Sequence, residues 1–260
     1  RLAPSAGCLP AGTCRSMTDP TVRELARLIE ESSGFVIQES RYEALADFAA
    51  ARLKASRHAD LAAYVAFLDQ HRESEEWRRV VNQITIKESY LFRGAAQLDA
   101  IRNHILPWLV DRRTDRTLRI WSAGCARGEE AATLAVILAD QPELAGWSWS
   151  ILATDVDETA LAEARRGLYG RRAVSGVSDE VLERYFEPRG DAFELDPDLR
   201  RRITYRRLNL AAAPLVVGEG PFDLVLLRNV LIYFRPDTQR RVVAEVERLL
   251  LPDGFVFLGP

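Results

Sequence analysis

The sequence predicts an α/β protein in which a doubly wound, mainly parallel sheet follows a small all-helical region and is interrupted by an antiparallel β insertion. Three observations carry this. Apolar residues between Thr21 and Gln83 recur at helical spacing. From Leu118 onward short apolar runs alternate with amphipathic stretches, the pattern of strands and crossover helices. Over residues 170–205 that alternation gives way to short extended runs broken by Gly190 and Pro197.

Taken in order, the first helix is marked by Val22, Leu25, Leu28 and Ile29, and the second by Tyr42, Leu45, Phe48 and Leu53. Leu61, Tyr64, Val65 and Leu68 give a third, and Trp77, Val80, Val81 and Ile84 a fourth. No glycine lies between Gly34 and Gly94, as expected of helices joined by short polar turns. After a helix around Gln97 to Val110, Leu118 to Trp121 reads as a strand and Glu130 to Ala139 as a helix. Ser150 to Thr154 and Glu158 to Arg166 repeat the pair. Phe222 to Leu227 and Phe255 to Leu258 are continuous apolar runs, which suit strands covered on both faces. Between them Val242, Val243, Val246, Leu249 and Leu250 form one helical stripe, with Pro252-Asp253-Gly254 as its stop. In the irregular interval Tyr185-Phe186, Ala192 to Leu195 and Ile203 to Tyr205 are read as short strands, part of them an inserted hairpin.

The charge balance, 35 Lys and Arg against 38 Asp and Glu in 260 residues, gives no overall attraction to nucleic acid. No apolar run approaches the roughly 18 residues a membrane span needs, so neither membrane insertion nor a nucleic-acid partner is expected. Cys8, Cys14 and Cys125 are too few and too scattered for a disulfide framework or a metal site, which points to a reducing cytoplasm and no metal cofactor. Residues 1–16 read as a leader or remnant outside the fold. Because a sheet strand immediately precedes Pro260, further C-terminal strands are expected beyond it.

In an open α/β sheet the ligand sits beyond the carboxyl ends of the strands. The first such loop runs from Ser122 to Glu130, with Gly124 and Gly128 allowing a close backbone approach. There is no G-x-G-x-x-G and no G-K-[ST] phosphate loop. The helix start carries Glu129 and Glu130 instead, which would repel a pyrophosphate. Asp155, at the end of the second strand, stands where a carboxylate accepts a ribose diol. A nucleoside bearing positive charge and no phosphate, such as S-adenosylmethionine, meets both demands. Helix-dipole complementation by the glutamates and turn capping by Asp155 are the structural alternatives.

Ile120 to Cys125 with Gly128-Glu129-Glu130, the string from Leu227 to Phe234 (LRNVLIYF), and Tyr90-Leu91-Phe92-Arg93 together closely resemble the chemotaxis receptor glutamate O-methyltransferases, the CheR family. The resemblance runs from about Thr21 to Pro260 and includes Asn209-Leu210 and the terminal Gly254 to Gly259. It implies a Rossmann-like class I methyltransferase sheet with an inserted antiparallel β-subdomain (residues 86–260, insertion 170–205), preceded by a helical receptor-recognition domain (residues 17–85). By position it implies cofactor contacts from Lys87, Ser89, Arg93, Gly124, Glu129, Asp155, Asn209, Leu210, Arg228 and Asn229, with Tyr233 as the active-site tyrosine. Glu129 matches better than Glu130. Lys87 stands where the family has an amide, Leu91 where it has phenylalanine, and Ala131-Ala132 where it has Pro-Tyr.

The activity so implied is methyl transfer from S-adenosylmethionine to receptor glutamates, leaving S-adenosylhomocysteine. Arg93 would orient a carboxylate and Tyr233 would donate a hydrogen bond to the acceptor oxygen. Arg228 and Asn229 interrupt an apolar run where a strand should finish, which favours a site role over a structural one. Arg52, Lys54 and Arg57 form a basic cluster at a helix end, either a solvated face or a surface steering toward an acidic chemoreceptor helix bundle. A monomer is expected. The competing readings are a class I methyltransferase with another acceptor and a non-catalytic S-adenosylmethionine-binding regulator.

Overall fold

The computed structural model describes residues 19–84 and 89–259; the leader, Lys87 and Pro260 lie outside the described residues. Helix α1 (Pro20–Ser33) starts where the Asp19 carboxylate accepts the Thr21 amide at 2.8 Å, and stops at Gly34, whose φ of 77° ends the helical path. Helices α2 (Tyr42–Ala55), α3 (Leu61–Gln70) and α4 (Glu75–Ile84) complete the helical region around Leu25, Leu28, Tyr64, Leu68 and Trp77, all fully buried. Arg52 is drawn into this packing. Its guanidinium makes two hydrogen bonds to the Glu76 carboxylate (2.7 and 2.6 Å), which also accepts from the Tyr64 hydroxyl. The Arg52 fork thus clamps α4 onto α2, whereas Lys54 and Arg57 remain exposed.

The helix expected over residues 97–110 is one path in three pieces, α5 (Ala95–Ala100), a π turn (Ile101–Ile105) and α6 (Leu106–Arg112). Pro107 has no N–H and its ring would press on the carbonyl one turn earlier; the wider turn before it relieves that crowding.

Eight strands follow. β1 (Thr117–Ala123), β2 (Ser148–Asp155), β6 (Ile203–Arg207), β7 (Phe222–Leu227) and β8 (Leu250–Leu258) form a parallel sheet in the order β6-β2-β1-β7-β8. β3 (Leu168–Gly170), β4 (Phe186–Arg189) and β5 (Ala192–Leu195) form a separate antiparallel sheet in the order β3-β5-β4. Helices α7 (Glu129–Ala139), α8 (Glu158–Arg166), α9 (Asp179–Tyr185), α10 (Pro197–Arg201) and α11 (Pro236–Arg248) make the crossovers and connections. All six residues of β7 are buried, as its unbroken apolar run requires.

Three local expectations are corrected. Ile203 to Tyr205 belongs to the main sheet, pairing with Ile151 to Ala153, because α10, capped by Asp196, turns the chain back alongside β2. Tyr185 closes α9 instead of opening a strand. The helix before β8 ends at Arg248, and Pro252-Asp253-Gly254 lies within β8 as an irregularity in its pairing with β7. No helix among the described residues is long and apolar enough to cross a membrane.

The chain leaves β1 for β2 on one side and reaches β7 on the other. The strand order therefore reverses at β1, and the crevice past its carboxyl end is where such a sheet takes a ligand.

Candidate active site

The loop after β1 is folded by its neighbour. The amides of Gly124 and Cys125 both donate to the Thr154 carbonyl, at 2.8 and 2.9 Å. Ala126 donates to Asp155 Oδ2 at 2.8 Å, and Asp157 donates to Oδ1 at 2.9 Å. Both oxygens of Asp155 are thus seated by backbone amides at the lip of the sheet. Burial pushes its carboxyl above the usual range while those amides pull it back. Gly128 follows with a φ of 85°, packed so that a Cβ would lie 2.7 Å from the Tyr205 hydroxyl. From the small sheet, Tyr169 donates to the Gly128 carbonyl at 3.2 Å, bracing the loop from below.

Glu129 and Glu130 open α7, the first buried and the second largely so, and they differ in what they meet. Glu130 accepts from Ser122 Oγ at 2.6 Å and faces Arg228 Nη1 at 3.3 Å. Burial nevertheless pushes its carboxyl up to about 7. Glu129 receives the Ser89 hydroxyl, is likewise raised by burial, and leaves its Oε2 without a hydrogen-bond partner among the described residues. Arg228 is 5% exposed and donates to the Arg93 carbonyl at 2.5 Å. Gly94 permits this, since a Cβ there would fall on Arg228 Nη2. The Arg228 Nε is also a buried donor with no partner among the described residues.

Of the four non-glycine residues with positive φ among those described, three gather here: Phe92 (59°), Ala126 (49°) and Asn229 (56°). Each costs on the order of 1 kcal/mol or more, and such strain accumulates where a site demands one backbone shape.

These residues line two adjoining cavities that share Gly124. One is bounded by Ser89, Tyr90, Arg93, Glu130, Arg228, Asn229 and Tyr233. The other is bounded by Asp155, Asn209, Leu210, Val230, Phe35 and Phe234. One end of the crevice is polar and charged; the other is apolar with a single carboxylate at its edge. The expected cofactor and catalytic residues within the described chain line one cavity or the other except Glu129, and Arg52, Lys54 and Arg57 lie away from both. Glu130 lines the crevice directly, and Glu129 meets Ser89, which also lines it. The Asn209 side chain lines the apolar end but is committed to protein partners, donating to the Ser32 carbonyl at 2.7 Å and accepting from Ala211 at 2.9 Å. Phe35 was not anticipated; it comes from the turn after α1, and no local pattern marks a residue brought in from another region. Cys125 is buried with its thiol pushed well up by burial and by Asp155, so it is a filler and not a nucleophile.

S-adenosylmethionine fits this donor set. The Glu129 oxygen, unpartnered among the described residues, and the acidic Glu130 suit an ammonium group, the Arg228 nitrogen, likewise unpartnered among them, suits a carboxylate, and Asp155 beside the apolar end suits a ribose diol next to a base. No cluster of three or more metal-ligating side chains occurs among the described residues.

Comparison with known proteins agrees with this chemistry. A family model described as "CheR methyltransferase, SAM binding domain" matches residues 87–260. The chemotaxis protein methyltransferase of Escherichia coli (strain K12) is 29% identical over 248 residues, 94% of this chain and 84% of that protein. Chemotaxis protein methyltransferase 2 of Vibrio cholerae is 31% identical over 210 residues, covering 80% of this chain and 73% of its own. Chemotaxis protein methyltransferase 1 of Pseudomonas aeruginosa is 34% identical over 187 residues, 69% of this chain and 67% of that one.

Proposed function

The chain belongs to the CheR methyltransferase family, and from that membership we propose that it esterifies glutamate side chains on the cytoplasmic helical domain of a chemoreceptor, acting as a cytoplasmic monomer. It is an S-adenosylmethionine-dependent methyltransferase of the chemotaxis type. The observation that supports the finer reading is the crevice itself, in which acids rather than a phosphate loop meet the cofactor and Tyr233 and Arg93 stand at its polar end.

The bound cofactor supplies an electrophilic methyl group on a sulfonium. What remains for the protein is alignment and the exclusion of water, a contribution worth roughly 7–11 kcal/mol in well-oriented systems. A glutamate, with a reference pKa of about 4.3, arrives already ionised and needs no strong base. Arg93, which lies 5.9 Å from the Tyr90 ring centroid, orients a carboxylate; the Tyr233 hydroxyl donates to the acceptor oxygen. Arg228 holds the Arg93 carbonyl and Glu130 together, fixing the polar end. Ser89, Glu129, Asp155 and Asn229 complete the cofactor cradle, and Gly124, Asn209 and Leu210 wall it.

The reaction is tested with radiolabelled S-adenosylmethionine and receptor cytoplasmic domains. Label released as methanol by alkali supports a glutamyl methyl ester; alkali-stable label, or transfer only to a small molecule or nucleic acid, refutes the acceptor. In the same assay Lys54→Glu combined with Arg57→Glu is expected to lower receptor methylation several-fold with S-adenosylhomocysteine affinity unchanged, because surface charges act mainly on encounter.

Glu130 makes cofactor affinity pH-dependent. Below about pH 7 its carboxyl is protonated and loses its attraction for the ligand's ammonium group, so affinity rises with pH. Calorimetry should show S-adenosylhomocysteine binding about tenfold tighter at pH 8 than at pH 6. In Glu130→Gln that difference should vanish; its persistence would assign the titration elsewhere.

A further inference from the structure

The crevice is closed on one side by a segment that the methyltransferase sheet does not supply. After α1 ends at Gly34, residues Phe35 to Ile37 run across the loop that follows β7. The Val36 amide donates to the Tyr233 carbonyl at 2.7 Å, and Phe35 forms an isolated antiparallel bridge with Phe234. The Phe35 ring lies 6.0 Å from that of Tyr233, edge-on, and 5.4 Å from that of Phe234. It also walls the apolar cavity beside Asp155. The Ser32 carbonyl takes the Asn209 amide, and Gly34 is packed against Ala211 and Phe234 so closely that a Cβ would collide.

One side chain spans from this strap to the segment after Tyr233. Glu30, in the last turn of α1, is 15% exposed; its Oε1 accepts the Ile37 amide at 3.1 Å and its Oε2 pairs with Arg235, two residues past Tyr233. It lies outside both cavities, so it acts only through what it holds. We propose that Glu30 is a positioning residue for methyl transfer, tying the Ser32–Ile37 strap of the helical region to the Tyr233 segment so that Phe35 walls the cofactor crevice and Tyr233 is held at the acceptor. This rests on the reading of the crevice as the cofactor site.

The two halves of the Glu30 contact are unequal. Arg235 is 67% exposed, and an exposed ion pair contributes little. The Ile37 amide is part of the strap, and an amide oxygen replaces a carboxylate oxygen as its acceptor. Glu30→Ala is therefore expected to weaken S-adenosylhomocysteine binding about tenfold by calorimetry and to lower kcat as well, whereas Glu30→Gln and Arg235→Ala stay within twofold of the wild type on both. A loss of folded protein alone would lower the number of binding sites and leave the affinity of each unchanged. In the wild-type full chain, S-adenosylhomocysteine should slow amide exchange at Val36 and Ile37. Affinity and kcat unchanged in Glu30→Ala, equal damage in Glu30→Gln, or unaltered exchange at the strap would overturn the proposal. Binding without any receptor methylation in the wild type would refute the acceptor assignment and leave this inference standing.

Discussion

Replacing Asp155 with alanine is expected to weaken S-adenosylhomocysteine binding by roughly 100-fold, about 2.7 kcal/mol. The loss has two sources. The carboxylate is the one charged acceptor at the apolar end of the crevice, and a hydrogen bond to a charged group is worth about 1.5–3 kcal/mol. The same oxygens seat the amides of Ala126 and Asp157, so the loop that shapes the crevice is released together with the ligand contact. Asparagine does not rescue this: both oxygens already face N–H donors, and the amide NH2 would be turned against one of them. Asp155→Asn should therefore stay within a few-fold of the alanine variant. Calorimetry of the two variants checks this, and wild-type affinity in Asp155→Asn would mean that the carboxylate is only a turn cap.

Arg228→Met is expected to abolish most activity and to lower the melting temperature by roughly 5 °C, the consequence of about 2 kcal/mol in a chain of this size. Removing one partner of a buried ion pair commonly costs about 3–5 kcal/mol because the other charge is stranded. Here the cost is smaller. Glu130 already titrates at about 7, so it takes up a proton cheaply once Arg228 is gone. The Arg93 carbonyl also loses its donor, and with it the placement of the Phe92-Arg93 turn. Since the pair shares one geometry, Arg228→Met with Glu130→Gln should be less destabilised than the sum of the single variants. Strict additivity in thermal melts would show that the two side chains do not support each other.

The sheet was legible from the sequence because its signals are local. Glu158–Arg166 is bounded by a capping aspartate, Asp157, and by Gly167 with a φ of 66°, and β7 is one unbroken apolar run. Asp155 and the loop from Ser122 to Glu130 were legible for the same reason: a strand end followed by glycines and acids has few other uses. The features that were missed are all decided by tertiary packing. Ile203 to Tyr205 carries the same short extended pattern whichever sheet it joins, and only the turn through α10 sends it to β2. Glu129 and Glu130 are neighbours on a helix and point about 100° apart, so which one reaches the crevice depends on how α7 docks. Arg52 has the appearance of a surface cation until Glu76, brought near by the packing of α4, claims it. Phe35 and the Ser32 contact of Asn209 join residues far apart in the chain, which no periodicity records.

Soaking crystals with S-adenosylhomocysteine tests the central claim most directly. The account requires density running past Gly124, with the ribose hydroxyls on Asp155, the base beside Phe35 and Leu210, and the amino acid end near Glu130 and Arg228. A crevice left empty at saturating ligand, or the nucleoside bound elsewhere on the protein, would contradict it.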